Sequence, residues 1–316
     1  MLRYTFTRLA QLALMLFIGS VVIFLVIQNS PGDPAYIRLG LDATPEQVAI
    51  ERERLGLDRP LPEQYLVWLS EALRLNLGTS FATSQPVTEV IAGALGYTAR
   101  LAAVAALLAL VVGAALGIVA ALRNGGRVDV AISAFAAMSL SVPSFALGAI
   151  LILVVSVELG LLPPAGAGLA GQSAWEALQF ILLPALALAI PVSAVLTRFI
   201  RVALGETMSQ DYIVTARSKG LRRSTIVVQH GLRNALIPTV TIAGIQLGGL
   251  LAGAVVVETV FSYPGLGRLT IQAIRGVDYP VVQGALLLAA AIFLILTFLV
   301  DIAYGLIDPR VRVGGR

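Results

Sequence analysis

Six apolar runs, parted by polar or basic stretches, set the plan of this 316-residue chain. They cover Leu9 to Ile27, Leu101 to Leu122, Val130 to Val157, Phe180 to Ile200, Ala235 to Val260 and Val281 to Leu306. Each approaches or exceeds the roughly 20 residues a helix needs to cross the hydrocarbon core of a bilayer. The pattern predicts an all-α integral membrane protein with six transmembrane helices, which puts both termini on one side. A composition 58% hydrophobic and 13% charged excludes an ordinary soluble domain of this length.

The polar stretches carry local signals. In the loop from Gln28 to Thr98, Thr44-Pro45-Glu46-Gln47 combines an N-cap, a proline at the first helical position and a capping-box Gln, and Leu55-Gly56 closes that helix. A second helix follows Pro60, where Tyr65, Leu66, Trp68, Leu69 and Leu73 form an apolar stripe that suits the bundle or the membrane surface. Within the spans, Gly113, Gly117, Ser133, Ser139, Ser141, Ser144, Gly244, Gly248, Gly249 and Gly253 are small. Such faces let helices pack closely, and they also suit a pore wall that offers hydroxyls and backbone. Pro143, Pro184 and Pro191 can kink their spans.

Charge orients the bundle. Of 22 basic residues, fourteen fall in stretches on the proposed inner side: Arg3, Arg8, Arg123, Arg127, Arg198, Arg201, Arg217, Lys219, Arg222, Arg223, Arg233, Arg310, Arg312 and Arg316. The short outer loops hold two, Arg268 and Arg275, and the long loop holds six. Short loops rich in Lys and Arg stay inside, so both termini are expected in the cytoplasm. The expected division is residues 1–28 as N-terminus and first span, 29–98 as extracytoplasmic loop, 99–307 as a five-helix core with a cytoplasmic loop at 201–234, and 308–316 as cytoplasmic tail. The first span carries no small-residue cleavage site and is expected to stay as a signal anchor. Basic residues spread among inner loops do not make a nucleic-acid surface.

Catalytic constellations are lacking. The sequence has no HExxH zinc motif, no GxSxG elbow, no phosphate-binding P-loop and no cysteine. Its single histidine, His230, has no triad or ligand set around it in the sequence and is expected to be structural. Glu158, Glu258 and Asp301 fall near span ends, where each can reach water or an arginine. An ion-coupled carrier places ionisable groups or broken helices near the midplane, so the driving energy is expected to come from outside the chain. A self-contained secondary carrier or channel stays as the alternative class.

Residues Asp211 to Pro238, DYIVTARSKGLRRSTIVVQHGLRNALIP, form the most informative polar stretch. A short helix starts at Asp211, ends near Arg217 and Lys219, and stops at Gly220 in a left-handed turn, an arrangement suited to the helix dipole and to docking in a partner's groove.

This segment resembles the cytoplasmic EAA loop of ABC importer permeases, in the variant of the dipeptide, oligopeptide and nickel family. With Gly220 as the loop glycine, Val214, Thr215 and Ala216 align with the E-A-A triplet, so its Glu and first Ala are absent. The resemblance continues at Pro31-Gly32-Asp33-Pro34, Leu55-Gly56-Leu57-Asp58-Arg59-Pro60, Leu77-Gly78-Thr79-Ser80, Glu258 through Gly267, Asp278-Tyr279-Pro280 and Asp308-Pro309-Arg310. Val157-Glu158-Leu159-Gly160 ahead of Leu162-Pro163 is similar to glutathione permeases, and the long first loop resembles the B-type subunit of the pair.

The resemblance implies a type I importer permease fold in a bacterial inner membrane and no enzyme activity in this chain. It implies as partners a second, similar permease, two cytoplasmic ATPase subunits that bind ATP and Mg, and an extracytoplasmic substrate-binding protein; the chain itself is expected to hold no cofactor or metal. Peptides are the implied cargo, with glutathione or a nickel chelate as alternatives. Asp211, Tyr212, Thr215, Ala216, Lys219 and Gly220 are the residues implied for coupling to the ATPases, and Ser141, Ser144, Gln246 and Glu258 are the candidates for the translocation wall.

Overall fold

The computed structural model describes residues 2–30, 32–40, 42–168 and 173–307. Pro31 and the tail 308–316, with Asp308-Pro309-Arg310, Arg312 and Arg316, lie outside the described residues, as do the side chains of Arg3, Pro238 and Asp301. Among the described residues the regular structure is helical, with one isolated antiparallel bridge between Thr79 and Pro86.

The chain divides into two units, one of Leu2–Thr98 with Pro264–Ile295 and the other of Ala99–Tyr263 with the chain from Leu296 onward. The first unit opens with α1 (Leu2–Gln28), then α2 (Pro34–Leu39), α3 (Pro45–Leu55) and α4 (Leu61–Leu73). The sequence signals around α3 hold at both ends: Thr44 and Gln47 form a reciprocal capping box, and Gly56 closes the helix in the left-handed region with φ +69°. Asp33 explains its own tag, since its carboxylate accepts from the Ala35 amide at 3.0 Å to cap α2 and from Arg52 of α3 at 2.6 Å. Arg38 adds a second tie to α3 through Glu51 at 2.8 Å.

The stripe on α4 divides in two. Tyr65 and Trp68 pack on α1, with Phe24 at ring-centroid distances of 5.4 and 5.9 Å, whereas Leu66 and Leu73 are exposed. Two separate sequence tags meet in the same unit: Asp278 accepts from the Ser80 hydroxyl at 2.5 Å and from the amides of Phe81 and Ala82 at 3.1 and 3.3 Å. That clasp fixes a tight loop at the start of α5 (Val87–Leu122). Val87 and Ile91 of α5 form a buried core with Leu266 and Ala273, and with Val281, Val282 and Ala285 farther along the chain.

In the second unit α5 is followed by α6 (Arg127–Ser141), α7 (Ser144–Leu151) and a wider π-helical stretch, Ile152–Glu158. The third span, expected from Val130 to Val157 with a kink allowed at Pro143, is broken into two halves bent by 105°. Pro143 is the cause, because it has no amide to donate and it forces the preceding residue out of the helical region. Val142 is accordingly extended at φ −101°, ψ 122°. Pro184 and Pro191 have no such effect, and α8 (Ala174–Met208) runs through both.

The helix α8 is the hub of its unit. Its apolar window is 67% buried, against 11% for that of α1, so neighbours rather than lipid surround it. Gly113 and Gly117 of α5 permit the closest approach: a Cβ at either would stand 2.8 Å from the Cβ of Leu196 or Ile200 and 3.0 Å from the carbonyl of Ser193 or Thr197. After α8 come α9 (Asp211–Ser218), the single turn α10 (Arg223–Thr225), a second π-helical stretch Ile226–Leu232 and α11 (Arg233–Val260). The chain ends with α12 (Leu266–Arg275) and α13 (Tyr279–Ile307), the first of which the apolar pattern did not reveal.

Candidate functional site

The polar segment predicted to dock folds as α9, two turns long, with Asp211 in the first turn and Arg217 in the last. Eight residues make a rod of about 12 Å. Lys219 is the C-cap, and Gly220 follows with φ +75°, the left-handed stop expected of it. Nothing lies within 4 Å of where a Gly220 Cβ would stand, so the conformation alone calls for glycine there.

One face of α9 is an anchor. Ile213 and Ala216 are buried at 0% and 7% exposure and form a small core with Ile226 and the last residue of α8, Met208. Ala216 therefore does not lie on the exposed face where a docking role would place it. On the other face Asp211, Tyr212, Val214, Thr215, Arg217, Ser218 and Lys219 are exposed. The Tyr212 hydroxyl accepts from the Asn234 amide at 2.9 Å, which ties α9 to the first turn of α11. Gly231 in the π-helical stretch presses on α8, where a Cβ would meet Leu204 at 3.0 Å and Met208 sulfur at 3.1 Å. The segment from α9 to the π-helical stretch is thus in direct contact with the end of α8 and the start of α11.

Sequence reasoning missed an ion pair near this end of the bundle. Arg201 of α8 donates through Nε and Nη2 to the two carboxylate oxygens of Asp129 at 2.5 and 2.8 Å. The Gly125 amide donates to the same group at 3.0 Å. An acid in the first turn of α6 was a visible signal, but no spacing rule connects it with position 201.

The proposed wall residues are not gathered at one place. Ser141 and Ser144 flank the 105° bend, the first exposed and the second half-buried, and Gln246 is half-buried on α11. Glu258, for which water or an arginine was the expected neighbour, is 0% exposed, so of the two it does not reach water within this chain. The tag that begins there is a packing element, with Phe261 and Tyr263 at 1% and 3% exposure and Phe261 seated against Gly148 of α7. In the other unit, a cleft of about 890 Å³ is lined by Asp33, Arg38, Arg52 and Arg59, whose charges are already paired.

The described residues thus combine long apolar helices with a bent third span and a polar helix, α9, anchored between α8 and α11. Residues 113–313 match the family described as binding-protein-dependent transport system inner membrane component, and residues 1–102 match its N-terminal counterpart. The chain belongs to this family: it is a multi-pass inner-membrane permease of the ABC importer class, with ATP hydrolysis assigned to a separate subunit. That membership sets aside the self-contained carrier or channel. The chain is 43% identical over 312 residues to the glutathione transport system permease protein GsiC of Pectobacterium atrosepticum, with 99% of each covered. The GsiC protein of Escherichia coli is 41% identical over 312 residues, again with 99% of each covered. An inward-facing crystal form of the MetNI methionine ABC transporter shares the fold at TM-score 0.60 and 20% identity, over 72% of this chain and 100% of that one.

Proposed function

We propose that this chain imports short peptides, glutathione foremost, as one of a pair of similar permeases. Two cytoplasmic ATPase subunits drive it and an extracytoplasmic binding protein loads it. The observation that carries this reading is α9, an exposed two-turn helix anchored through Ile213 and Ala216 and tied by Tyr212 to α11. Closure of the ATPases on ATP pulls α9, and its contacts pass the displacement to α8 and α11. Asp211, Thr215 and Lys219 face the ATPase, Ala216 holds the helix in place, and Gly220 permits the turn that ends it.

The fourteen-to-two distribution of basic residues supports cytoplasmic termini, a cytoplasmic α9 and an extracytoplasmic loop 29–98. Ser141, Ser144 and Gln246 contribute to the wall, and Glu258, the fourth candidate, is buried within the chain. Likeness to the two GsiC proteins across 99% of the chain supports glutathione, itself a short peptide, over a nickel chelate. The test is uptake into vesicles holding the assembled transporter, with the binding protein and ATP supplied. Labelled glutathione should accumulate, a dipeptide less so, and a nickel chelate not at all. Nickel-chelate uptake without peptide uptake would overturn the cargo assignment.

A further inference from the structure

The helix α4 is more apolar than its contact with α1 requires. At 3.6 residues per turn its apolar arc runs about 160° around the axis, from Trp68 through Tyr65 to Leu69, Leu73 and Leu66. Only the Trp68 and Tyr65 side of that arc meets α1. Beyond them Leu69 is half-buried, and the far edge is bare, with Leu66 63% and Leu73 78% exposed. Beyond it the polar face begins with Ser70 and Glu63, both exposed.

The depth of α4 along α1 says what covers this face. The apolar span of α1 ends at Gln28, which donates from its amide to Gln64 of α4 at 2.5 Å. The next residue, Tyr65, reaches inward and shares a 2.8 Å hydrogen bond with Ser20, and its ring meets Phe17 and Phe24. Trp68 also stacks near Phe24. So α4 crosses α1 near Phe24, four residues inside the end of the span, or about 6 Å at 1.5 Å per residue. Interfacial amphipathic helices bury their apolar face about 5–10 Å into the boundary between headgroups and acyl chains. On the side of α1 away from α4, Val22 and Val26 are 53% and 58% exposed on a span that is 11% buried in the chain, so lipid is available around α1 at this depth.

We propose that α4 is an interfacial helix whose Leu66 and Leu73 insert among the acyl chains of the leaflet at the Gln28 end of α1. Phospholipid, rather than a protein partner, covers this face. Tyr65 and Trp68 then sit at the membrane boundary, where amphipathic aromatic rings concentrate. The loop that follows the first span is moored to the bilayer as well as to the bundle. This holds whichever leaflet the Gln28 end occupies, so it stands apart from the assignment of orientation and cargo.

The absence of native cysteine allows the test in the assembled transporter in phospholipid vesicles. Single spin labels at Leu66→Cys, Leu73→Cys and Ser70→Cys are compared with one at Val22→Cys as the lipid reference. Collision with oxygen, which concentrates in acyl chains, is measured against collision with a water-soluble nickel chelate. The oxygen-to-nickel ratio at positions 66 and 73 should match that at 22 and exceed that at 70 several-fold. Two results overturn the proposal: a ratio at 66 and 73 equal to that at 70, which puts the face in water, or shielding from both reagents, which puts a protein on it.

Discussion

Arg201 grips Asp129 at two points, so the last third of α8 is bolted to the first turn of α6. The Asp129 side chain is 3% exposed and that of Arg201 34%. Removing one partner strands the other, so Arg201→Gln should destabilise the permease by on the order of 2–5 kcal/mol. Asp129→Asn keeps an acceptor for Gly125 and should cost less. Thermal unfolding in lipid nanodiscs checks both, and the double variant should recover part of the loss because the two residues act as one unit.

Close helix packing gives a second expectation. Gly117→Ala drives a methyl to 2.8 Å from Ile200 Cβ and 3.0 Å from the Thr197 carbonyl, and a backbone atom cannot swing aside. Overpacking of this kind costs about 1–3 kcal/mol. Gly19→Ala is the control, since nothing lies within 4 Å of its new Cβ, and its melting midpoint should not fall.

Asp278→Ala should loosen the loop before α5 without unfolding the chain. It deprives the amides of Phe81 and Ala82 and the hydroxyl of Ser80 of their acceptor, and the buried Ser80 group left unsatisfied costs about 1–3 kcal/mol. Hydrogen exchange at Phe81 and Ala82 should quicken well before exchange in α8 changes. Equal protection in the variant and the parent would deny the clasp a structural role.

Gly220 separates conformation from crowding. Gly220→Asn should retain much of the transport, because Asn tolerates the left-handed region, whereas Gly220→Val should abolish it with the chain still inserted. Uptake of the imported substrate, normalised to permease in the membrane, is the readout.

These outcomes follow how the sequence could be read. Signals confined to neighbouring residues translated directly: the capping box at Thr44 and Gln47 made α3, and Gly220 took positive φ. A second box went unnoticed at Ser173 and Glu176, and it starts α8 several residues ahead of the apolar run. The run before Leu101 was hidden because Tyr97, Thr98 and Arg100 lower the local hydropathy, although α5 already begins at Val87. Contacts between distant positions were not legible at all. Ser80 meets Asp278 across 198 positions and Asp129 meets Arg201 across 72, and neither spacing leaves a periodic trace. The same limit applied to α9: its exposed residues were visible as a polar run, but only the fold shows that Ala216 turns inward.

Coupling through α9 is tested most directly on its exposed face. Thr215 is exposed and, among the described residues, its hydroxyl bonds the Asp211 carbonyl of its own helix at 3.1 Å, so Thr215→Trp should leave the permease fold and melting midpoint unchanged. A bulky ring there should spoil the fit to the ATPase, whereas Lys219→Gln at the rim should cost little, since an exposed charge contributes modestly to affinity. The measurement is substrate-stimulated ATP hydrolysis by the assembled complex in lipid. Loss of stimulation in Thr215→Trp, with Lys219→Gln near the parent rate, is the predicted result; normal stimulation in Thr215→Trp would contradict the role given to α9.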